Sequence, residues 1–135
     1  MDFVNQNILI TGAADGLGLA ISKSFANTKA NLFLIDINYD RLIENDISNA
    51  NNIQCDLSNI NSVKNLITKF SAEKIHFDVL IHNAAVLVPK SFEETSVEYW
   101  NEMTNISLNS GYLLSNYAWT NMKKNKKGII IFVSS

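Results

Sequence analysis

Three glycines in one short segment carry the clearest chemical signal in this chain. The apolar run Ile8–Ile10 leads into Thr11–Gly18, after which apolar residues recur at helical spacing. Gly12 suits a tight turn, Gly16 lets the backbone approach a pyrophosphate, and Gly18 lets a helix pack closely on a strand. Because the first amide groups of a helix attract anions, the segment predicts a phosphate site at a strand-to-helix turn.

An acidic residue ends the next predicted strand. Asn31–Ile35 is mostly apolar, and Asp36 follows it, eighteen positions after Gly18. A carboxylate at this position can accept hydrogen bonds from an adenosine ribose, and its charge repels a 2′-phosphate. We therefore expect a nicotinamide dinucleotide as cofactor, with NAD favoured over NADP. The simpler alternative is that the glycines are ordinary turn residues and Asp36 is a solvated acid.

Strands and helices continue to alternate beyond Asp36, without internal repeats. The further predicted strands are Ile53–Cys55, Phe77–Ile81 and Ile129–Val133, and the predicted helices are marked by Leu42, Ile43 and Ile47, by Val63, Leu66, Ile67 and Phe70, and by Trp100, Met103, Leu108, Tyr112 and Leu113. Thr95 and Glu98 have capping-box spacing and are expected to open the last of these helices. This alternation predicts an α/β fold with a doubly wound parallel sheet, ordered 3-2-1-4-5, in one domain over residues 1–135.

Composition limits the possible functions. The chain has 135 residues, 47% of them hydrophobic, and a formal net charge of −2, so it has no basic footprint for nucleic acid. Its lysine cluster, Lys123, Lys124, Lys126 and Lys127, is interpreted as a solvated helix end. A single cysteine, Cys55, is expected to be a buried thiol in a reducing compartment. No export signal, membrane span or metal site is predicted, and the protein is expected to be cytoplasmic.

Polar or glycine residues stand at the carboxyl ends of successive predicted strands, where ligands of open parallel sheets bind. These positions are Gly12, Asp36, Asp56, Asn83 and Ser135. Together with three blocks, Thr11–Gly18, Cys55–Ser58 and His82–Ala85, the pattern resembles the short-chain dehydrogenase/reductase family over essentially the whole chain. The resemblance implies a three-layer Rossmann fold that lacks the C-terminal strands of the full family fold.

The resemblance also implies a set of cofactor-binding residues. They are Thr11, Gly12, Ala14, Asp15, Gly16, Leu17, Gly18, Asp36, Asp56, Leu57, Asn83, Ala84 and Ala85. Asp56 would meet the adenine amino group, Leu57 would line the adenine pocket, and Asn83 would tie the fourth strand to the first turn beneath the cofactor. Asp56 could instead cap the helix that begins near Asn59. The usual Asn-Asn-Ala-Gly of the family begins here with His82, which we interpret as a packed strand histidine.

The catalytic residues of the family are only partly matched. By resemblance, Ser135 aligns with the serine that binds the substrate oxygen, and Ser107 with an asparagine that acts through its backbone carbonyl at a helix irregularity. The family's catalytic tyrosine and lysine, spaced Tyr-x-x-x-Lys, are absent: Tyr39, Tyr99, Tyr112 and Tyr117 are not followed four residues later by lysine. We therefore expect an N-terminal part of an NAD(P)-dependent oxidoreductase, inactive alone, whose full-length form acts on an alcohol or carbonyl substrate and is a homo-oligomer.

Without further chain beyond Ser135, apolar surface is expected to be exposed. Ile129–Val133 would be a bare sheet edge, and the last helix would expose its aromatic residues. Those aromatic residues are Trp100, Tyr112, Tyr117 and Trp119. Marginal stability or self-association is the expected consequence. Two other functions stay open: a non-catalytic NAD-binding module that senses cofactor or joins a complete homologue, and an S-adenosylmethionine methyltransferase.

Overall fold

A parallel sheet flanked by helices forms the frame of the protein, and the computed structural model describes residues 3–86 and 88–134. The strands are β1 (Asn7–Thr11), β2 (Asn31–Asp36), β3 (Ala50–Gln54), β4 (Val79–His82) and β5 (Ile129–Phe132). The helices are α1 (Gly16–Ala26), α2 (Tyr39–Glu44), α3 (Ile60–Ala72), α4 (Val97–Thr104) and α5 (Ser110–Asn125), with a π-helix (Asn105–Asn109) between the last two. All strand pairs are parallel, and the order β3-β2-β1-β4-β5 confirms the predicted topology.

Alternation of side chains along the strands divides the core into two layers. On one face of the sheet, Leu9 and Leu80 pack with residues of α3 and α5. On the other face, Ile8, Ile10 and Ile81 pack with the small residues that follow β1 and with α2. Every residue of β4 is buried. Such strands are covered on both sides, so the chain has the three-layer Rossmann architecture.

Aromatic rings fill the layer beneath α3. Phe33, Phe70 and Phe77 meet edge to face, with ring centroids 5.0 to 6.2 Å apart. Tyr117 joins this cluster by stacking on Phe70, and its hydroxyl donates a hydrogen bond to the carbonyl of Ile75. Tyr117 was expected to be exposed but is partly buried, because its position on α5 brings its ring against this cluster.

The starts of two strands differ from the sequence prediction by two residues or more. β3 begins at Ala50, three residues before the predicted start at Ile53, because polar Asn51 and Asn52 pair with β2 despite having no apolar pattern. Cys55 lies after the strand but is buried, as expected. β4 begins at Val79, so the buried Phe77 precedes the strand rather than opening it.

The start of α4 differs from the predicted capping box by one residue. Ser96 is the N-cap, and its hydroxyl accepts a hydrogen bond from the backbone N–H of Tyr99 at 3.2 Å. Thr95 instead donates its hydroxyl proton to the carbonyl of Ser91, at 2.9 Å. Thr95 and Ser96 are both suitable N-cap residues, and the preceding turn determines which one has the extended backbone that a cap requires.

The long helix expected after Thr95 is divided by the π-helix. There the backbone N–H of Ser110 donates to the carbonyl of Asn105, five residues earlier. One wide turn of this kind inserts an extra residue and rotates the helix after it. α5 ends at Asn125, the C-cap Lys126 adopts a left-handed conformation, and the lysines around this end are exposed as expected.

Apolar side chains are exposed where the sequence predicted them, apart from Tyr117. Trp100, Tyr112 and Trp119 are each more than half exposed, and β5 forms an edge of the sheet with Ile131 and Phe132 partly exposed. Self-association through these surfaces stays a prediction. Among residues 3–86 and 88–134, no helix combines the length and the apolar character that crossing a membrane requires.

The aromatic cluster predicts a large effect of truncating one ring. Phe70 is 2% exposed and contacts three other rings, whereas Phe92 is 93% exposed. Phe70→Ala should lower the free energy of unfolding by about 3–5 kcal/mol, measured by urea denaturation, because it leaves a cavity. Phe92→Ala is the matched control and should stay within about 0.5 kcal/mol of wild type. Equal effects of the two variants would contradict the described packing.

Candidate nucleotide-binding site

A cleft of about 620 Å³ opens beyond the carboxyl ends of β1 to β4. Its lining residues are Gly12, Asp15, Gly16, Asp36, Ile37, Cys55, Asp56, Leu57, Ser58, Asn83, Ala84, Ala85, Val86, Glu102 and Ile106. The cleft forms here because parallel strands all end at the same edge of the sheet and β1 lies where the strand order reverses. This is the expected position of a ligand site in an open α/β sheet.

The glycine turn between β1 and α1 is shaped by positions that exclude a side chain. Gly12 and Gly16 have φ angles of 64° and 51°, which strain any residue with a Cβ atom. A Cβ added at Gly18 would lie 1.9 Å from the carbonyl oxygen of Gly12, so this glycine allows α1 to pack on the turn. A Cβ at Gly16 would meet nothing within 4 Å, so the backbone there faces open space. A pyrophosphate could approach the start of α1 through this space.

Asn83 and Thr11 hold the glycine turn against β4. The side-chain amide of Asn83 donates to the carbonyls of Thr11 and Gly12, at 3.3 and 3.1 Å. The Thr11 hydroxyl in turn accepts from the backbone N–H groups of Asn83 and Ala84, both at 3.1 Å. These reciprocal bonds fix the turn from below, so that its upper side stays available to a ligand.

Asp36 lies at the cleft and orders its rim. One carboxylate oxygen accepts from the backbone N–H of Ala14 at 3.0 Å, and the other accepts from that of Asn38 at 3.0 Å. Each carboxylate oxygen has two acceptor positions, so capacity for further hydrogen bonds remains. Ala14, which the sequence also assigned to the site, is buried and supports Asp36 rather than lining the cleft.

Asp15 has two structural partners at the entrance of the cleft. Its side chain caps α1 by accepting from the N–H of Gly16 at 2.8 Å, and it forms an ion pair with Arg41 of α2 at 3.0 Å. Both charged side chains are more than half exposed, so the pair adds little stability. A second bond, from the Asn45 side chain to the carbonyl of Ala14 at 2.8 Å, also joins α2 to the turn.

Asp56 and Leu57 form the wall beyond β3. Asp56 accepts hydrogen bonds from the backbone N–H and the hydroxyl of Ser58, at 2.9 and 2.6 Å. Asn59, rather than Asp56, caps α3, with its side-chain oxygen accepting from Asn61 and Ser62. The alternative in which Asp56 caps this helix was therefore wrong. Leu57 is almost fully buried and gives the cleft an apolar surface.

His82 is a packed strand histidine, as predicted. It is 2% exposed, its Nδ1 lies 3.0 Å from the Thr11 hydroxyl, and its Nε2 lies 3.0 Å from the carbonyl oxygen of Ile106. Burial lowers the pKa of the imidazole, and hydrogen bonding to the backbone of Ile106 and Ser107 only partly offsets this effect. The ring is therefore neutral near pH 7.

Of the two predicted catalytic serines, the structure describes Ser107. Ser107 lies within the π-helix, so the helix irregularity implied by the resemblance is present at this position. Its neighbour Ile106 lines the cleft, but Ser107 itself does not. Asn105, two residues before Ser107, donates a hydrogen bond from its side-chain amide to the carbonyl of Ser58 at 2.8 Å. Ser135 lies outside the described residues.

Most of the predicted cofactor residues line one cleft. The other four do not line it. Thr11, Ala14 and Gly18 form its buried support, and Leu17 points to solvent from the first turn of α1. Sequence reasoning missed several lining residues, namely Ile37, Cys55, Ser58, Val86, Glu102 and Ile106. All of them except Glu102 are immediate neighbours of predicted residues, which is the signal that could have identified them. Glu102 reaches the cleft only through the path of α4.

Cys55 lies in the cleft wall but is not a reactive thiol. Burial and the nearby charge of Asp56 raise its pKa to about 11, so it is almost entirely protonated near pH 7. A thiol rather than a thiolate is a poor nucleophile. Cys55 therefore contributes packing to the site.

Comparison with known proteins identifies the family. A model of the short chain dehydrogenase family matches residues 6–135, and the chain belongs to that family. Cyclopentanol dehydrogenase of Comamonas testosteroni is 30% identical over 142 residues, which cover 100% of this chain and 57% of that protein. The chain spans about half the length of the curated relatives it matches.

Two solved structures with this architecture are complexes with nicotinamide cofactors. A metagenomic short-chain oxidoreductase in complex with NADP has a TM-score of 0.90 and 25% identity, covering 100% of this chain and 64% of that one. A 4-hydroxyisoleucine dehydrogenase complexed with NADH has a TM-score of 0.83 and 27% identity, covering 93% of this chain and 54% of that one. A nicotinamide cofactor is therefore supported, and both forms of it occur among similar structures.

The lowered pKa of His82 predicts a loss of stability in mild acid. Below its ordinary value of 6.5, the unfolded chain takes up a proton at this histidine that the folded protein resists. Stability is therefore fully present above pH 6.5 and falls toward the lowered folded pKa, by up to about 1.4 kcal/mol for each pH unit. Urea denaturation between pH 7.5 and 5 should show this slope in wild type.

Two variants test whether His82, rather than the other histidine of the chain, causes this slope. His82→Gln should lose its part of the slope, whereas His76→Gln should keep it, because His76 is exposed. The same pH dependence in wild type and His82→Gln would contradict the assignment of the slope to His82.

Proposed function

We propose that the chain forms the NAD-binding part of an oxidoreductase that moves a hydride between nicotinamide and the carbonyl or hydroxyl carbon of a small molecule. The observation that carries this proposal is the meeting of an open glycine turn and an acidic residue in one cleft. Gly16 has free space before the start of α1, and Asp36 lies at the end of the neighbouring strand. Membership of the short-chain dehydrogenase family supports the same reaction class.

The residues of the cleft fit each part of a dinucleotide. The turn from Gly12 to Gly18 would hold the pyrophosphate through backbone N–H groups of the first turn of α1, which have no partners within the helix. Asp36 would accept hydrogen bonds from the adenosine ribose, and Asp56 and Leu57 would border the adenine. Asn83, Ala84 and Ala85 would lie beneath the nicotinamide half. Bound nicotinamide supplies the hydride acceptor or donor, while these residues position it.

NAD is proposed over NADP on electrostatic grounds. A 2′-phosphate would lie beside the Asp36 carboxylate, and two like charges about 4 Å apart repel by about 4 kcal/mol at an effective dielectric constant near 20. Arg41, a cation at the entrance of the cleft, is paired with Asp15. The substrate of the full-length protein would be an alcohol or a carbonyl compound. The full-length protein is proposed to be a homo-oligomer, which is consistent with the exposed Trp100 and Tyr112.

Catalytic roles are proposed for two serines. Ser107 would act through its backbone carbonyl within the π-helix, and Ser135 would bind the substrate oxygen through its hydroxyl. Neither group can transfer a proton efficiently near pH 7 without an acid or base of matched pKa. A non-catalytic NAD-binding module that joins a complete homologue is the second candidate, and the exposed Trp100, Tyr112 and Trp119 favour such a contact.

Cofactor preference tests the proposed role of Asp36. By isothermal titration calorimetry, wild type should bind NADH more tightly than NADPH, with S-adenosylmethionine as the competing ligand class. Asp36→Asn should shift the NADH/NADPH affinity ratio toward NADPH by about tenfold or more, because it removes the repulsive charge. Asp40→Asn, an exposed acid on α2, is the matched control and should leave the ratio unchanged. An unchanged ratio in Asp36→Asn would remove Asp36 from the ribose site, and tighter binding of S-adenosylmethionine would overturn the function.

Turnover by the isolated segment tests the catalytic proposal. A polypeptide confined to residues 1–135 should bind NADH but not oxidise it when a ketone or aldehyde is added, since general acid/base catalysis of about 10²–10⁴-fold is missing. The loss of NADH absorbance over time measures this directly. Steady turnover by that polypeptide would show that the proton is supplied by another group in the chain.

A further inference from the structure

His82 is the one member of the family-like block His82–Ala85 whose side chain the proposed function does not use. It lies at the end of β4, buried between β1, β5 and the π-helix. Its ring is 5.1 Å from that of Phe132, and a Cβ added at Gly111 would lie 2.6 Å from its Cδ2 atom. The ring therefore has little freedom to rotate. Its two nitrogens can be assigned from their partners.

The hydrogen bonds of His82 fix one tautomer. The carbonyl of Ile106 can only accept a hydrogen bond, so Nε2, 3.0 Å away, must carry the proton. In the neutral ring Nδ1 is then an acceptor, and the Thr11 hydroxyl, 3.0 Å away, must donate to it. The Thr11 oxygen accepts from the N–H groups of Asn83 and Ala84, so each polar group in this chain of bonds has a matched role.

The π-helix makes the Ile106 carbonyl available to His82. In an α-helix this carbonyl would accept from the N–H of Ser110, but that N–H donates to Asn105 instead. Ile106 accepts from the Ser110 hydroxyl at 2.8 Å and from His82. The imidazole thereby takes part in holding the wide turn that contains Ser107.

We propose that His82 is a positioning residue that joins the phosphate-binding turn, through Thr11, to the π-helix that carries Ser107, through Ile106. The imidazole spans the two elements as a single rigid group with one acceptor and one donor. It therefore sets the distance between the cofactor side and the reacting side of the cleft. The catalytic part of this inference rests on the proposed function, which assigns roles to Ser107 and to the glycine turn. The hydrogen bonds of His82 to Thr11 and to Ile106 can be tested without any ligand.

Two variants separate the contacts. The amide of His82→Asn reaches the position of Nδ1 and keeps the Thr11 contact, whereas the longer side chain of His82→Gln reaches the position of Nε2 and keeps the Ile106 contact. Amide hydrogen exchange measured by NMR at Ala84 reports on Thr11, and exchange at Ser110 reports on the π-helix. We expect His82→Asn to speed exchange at Ser110 about fivefold and His82→Gln to speed it at Ala84 about fivefold, the effect of losing one typical hydrogen bond.

A purely structural role would give a different result. If both variants speed exchange equally at Ala84, at Ser110 and in β2, His82 only fills space and the proposal is overturned. In wild type, nitrogen shifts of the imidazole should show the proton on Nε2, a measurement that does not depend on any variant folding. A proton on Nδ1 would also overturn the proposal.

Cofactor binding adds the functional readout. His82→Gln should weaken NADH binding more than His82→Asn does, because only the former releases Thr11 beneath the glycine turn. Equal NADH affinities for the two variants would contradict a role in positioning that turn. If wild type binds neither NADH nor NADPH, the proposed function fails, while the tautomer and exchange results still decide the role of His82.

Discussion

The close approach of α1 to the turn after β1 is the constraint on which the rest of the site depends. A Cβ at Gly18 would lie 1.9 Å from the Gly12 carbonyl oxygen and 2.7 Å from the side-chain amide of Asn83. Only glycine allows three segments to meet at this point. Their meeting aims the start of α1 at the cleft and leaves Gly16 facing open space. A larger residue at Gly18 would displace the helix, and the backbone donors at its first turn would no longer point to one place.

The polar groups beneath this contact form hydrogen bonds with one another. Thr11 lies fully buried at the end of β1, yet its hydroxyl accepts from two backbone N–H groups and contacts His82. Buried polar groups stabilise a fold only when each donor finds an acceptor, and a network that is fully satisfied specifies one arrangement. The glycine turn, β4 and the π-helix are thus fixed together, while the surface above them stays open for a ligand.

The sequence predicted the features that follow from local rules. Runs of apolar residues located the strands, and the glycine turn with Asp36 located the cleft, because strand order and the direction of parallel strands bring their carboxyl ends together. The prediction was less accurate where contacts between distant segments determine an element's boundary or a side chain's burial. Asn51 and Asn52 join β3 only because β2 lies beside them, and Ser96 rather than Thr95 caps α4 because of the preceding turn. Tyr117 is partly buried because its ring packs on Phe70 and Phe77 from distant segments.

The most direct test of a dinucleotide across this cleft is a crystal structure of the protein grown with NADH. We predict density for the pyrophosphate at the backbone of Gly12 to Gly18 and for the adenosine ribose within hydrogen-bonding distance of the Asp36 carboxylate. Density for the cofactor elsewhere, or a ribose placed away from Asp36 with the glycine turn unused, would contradict the account.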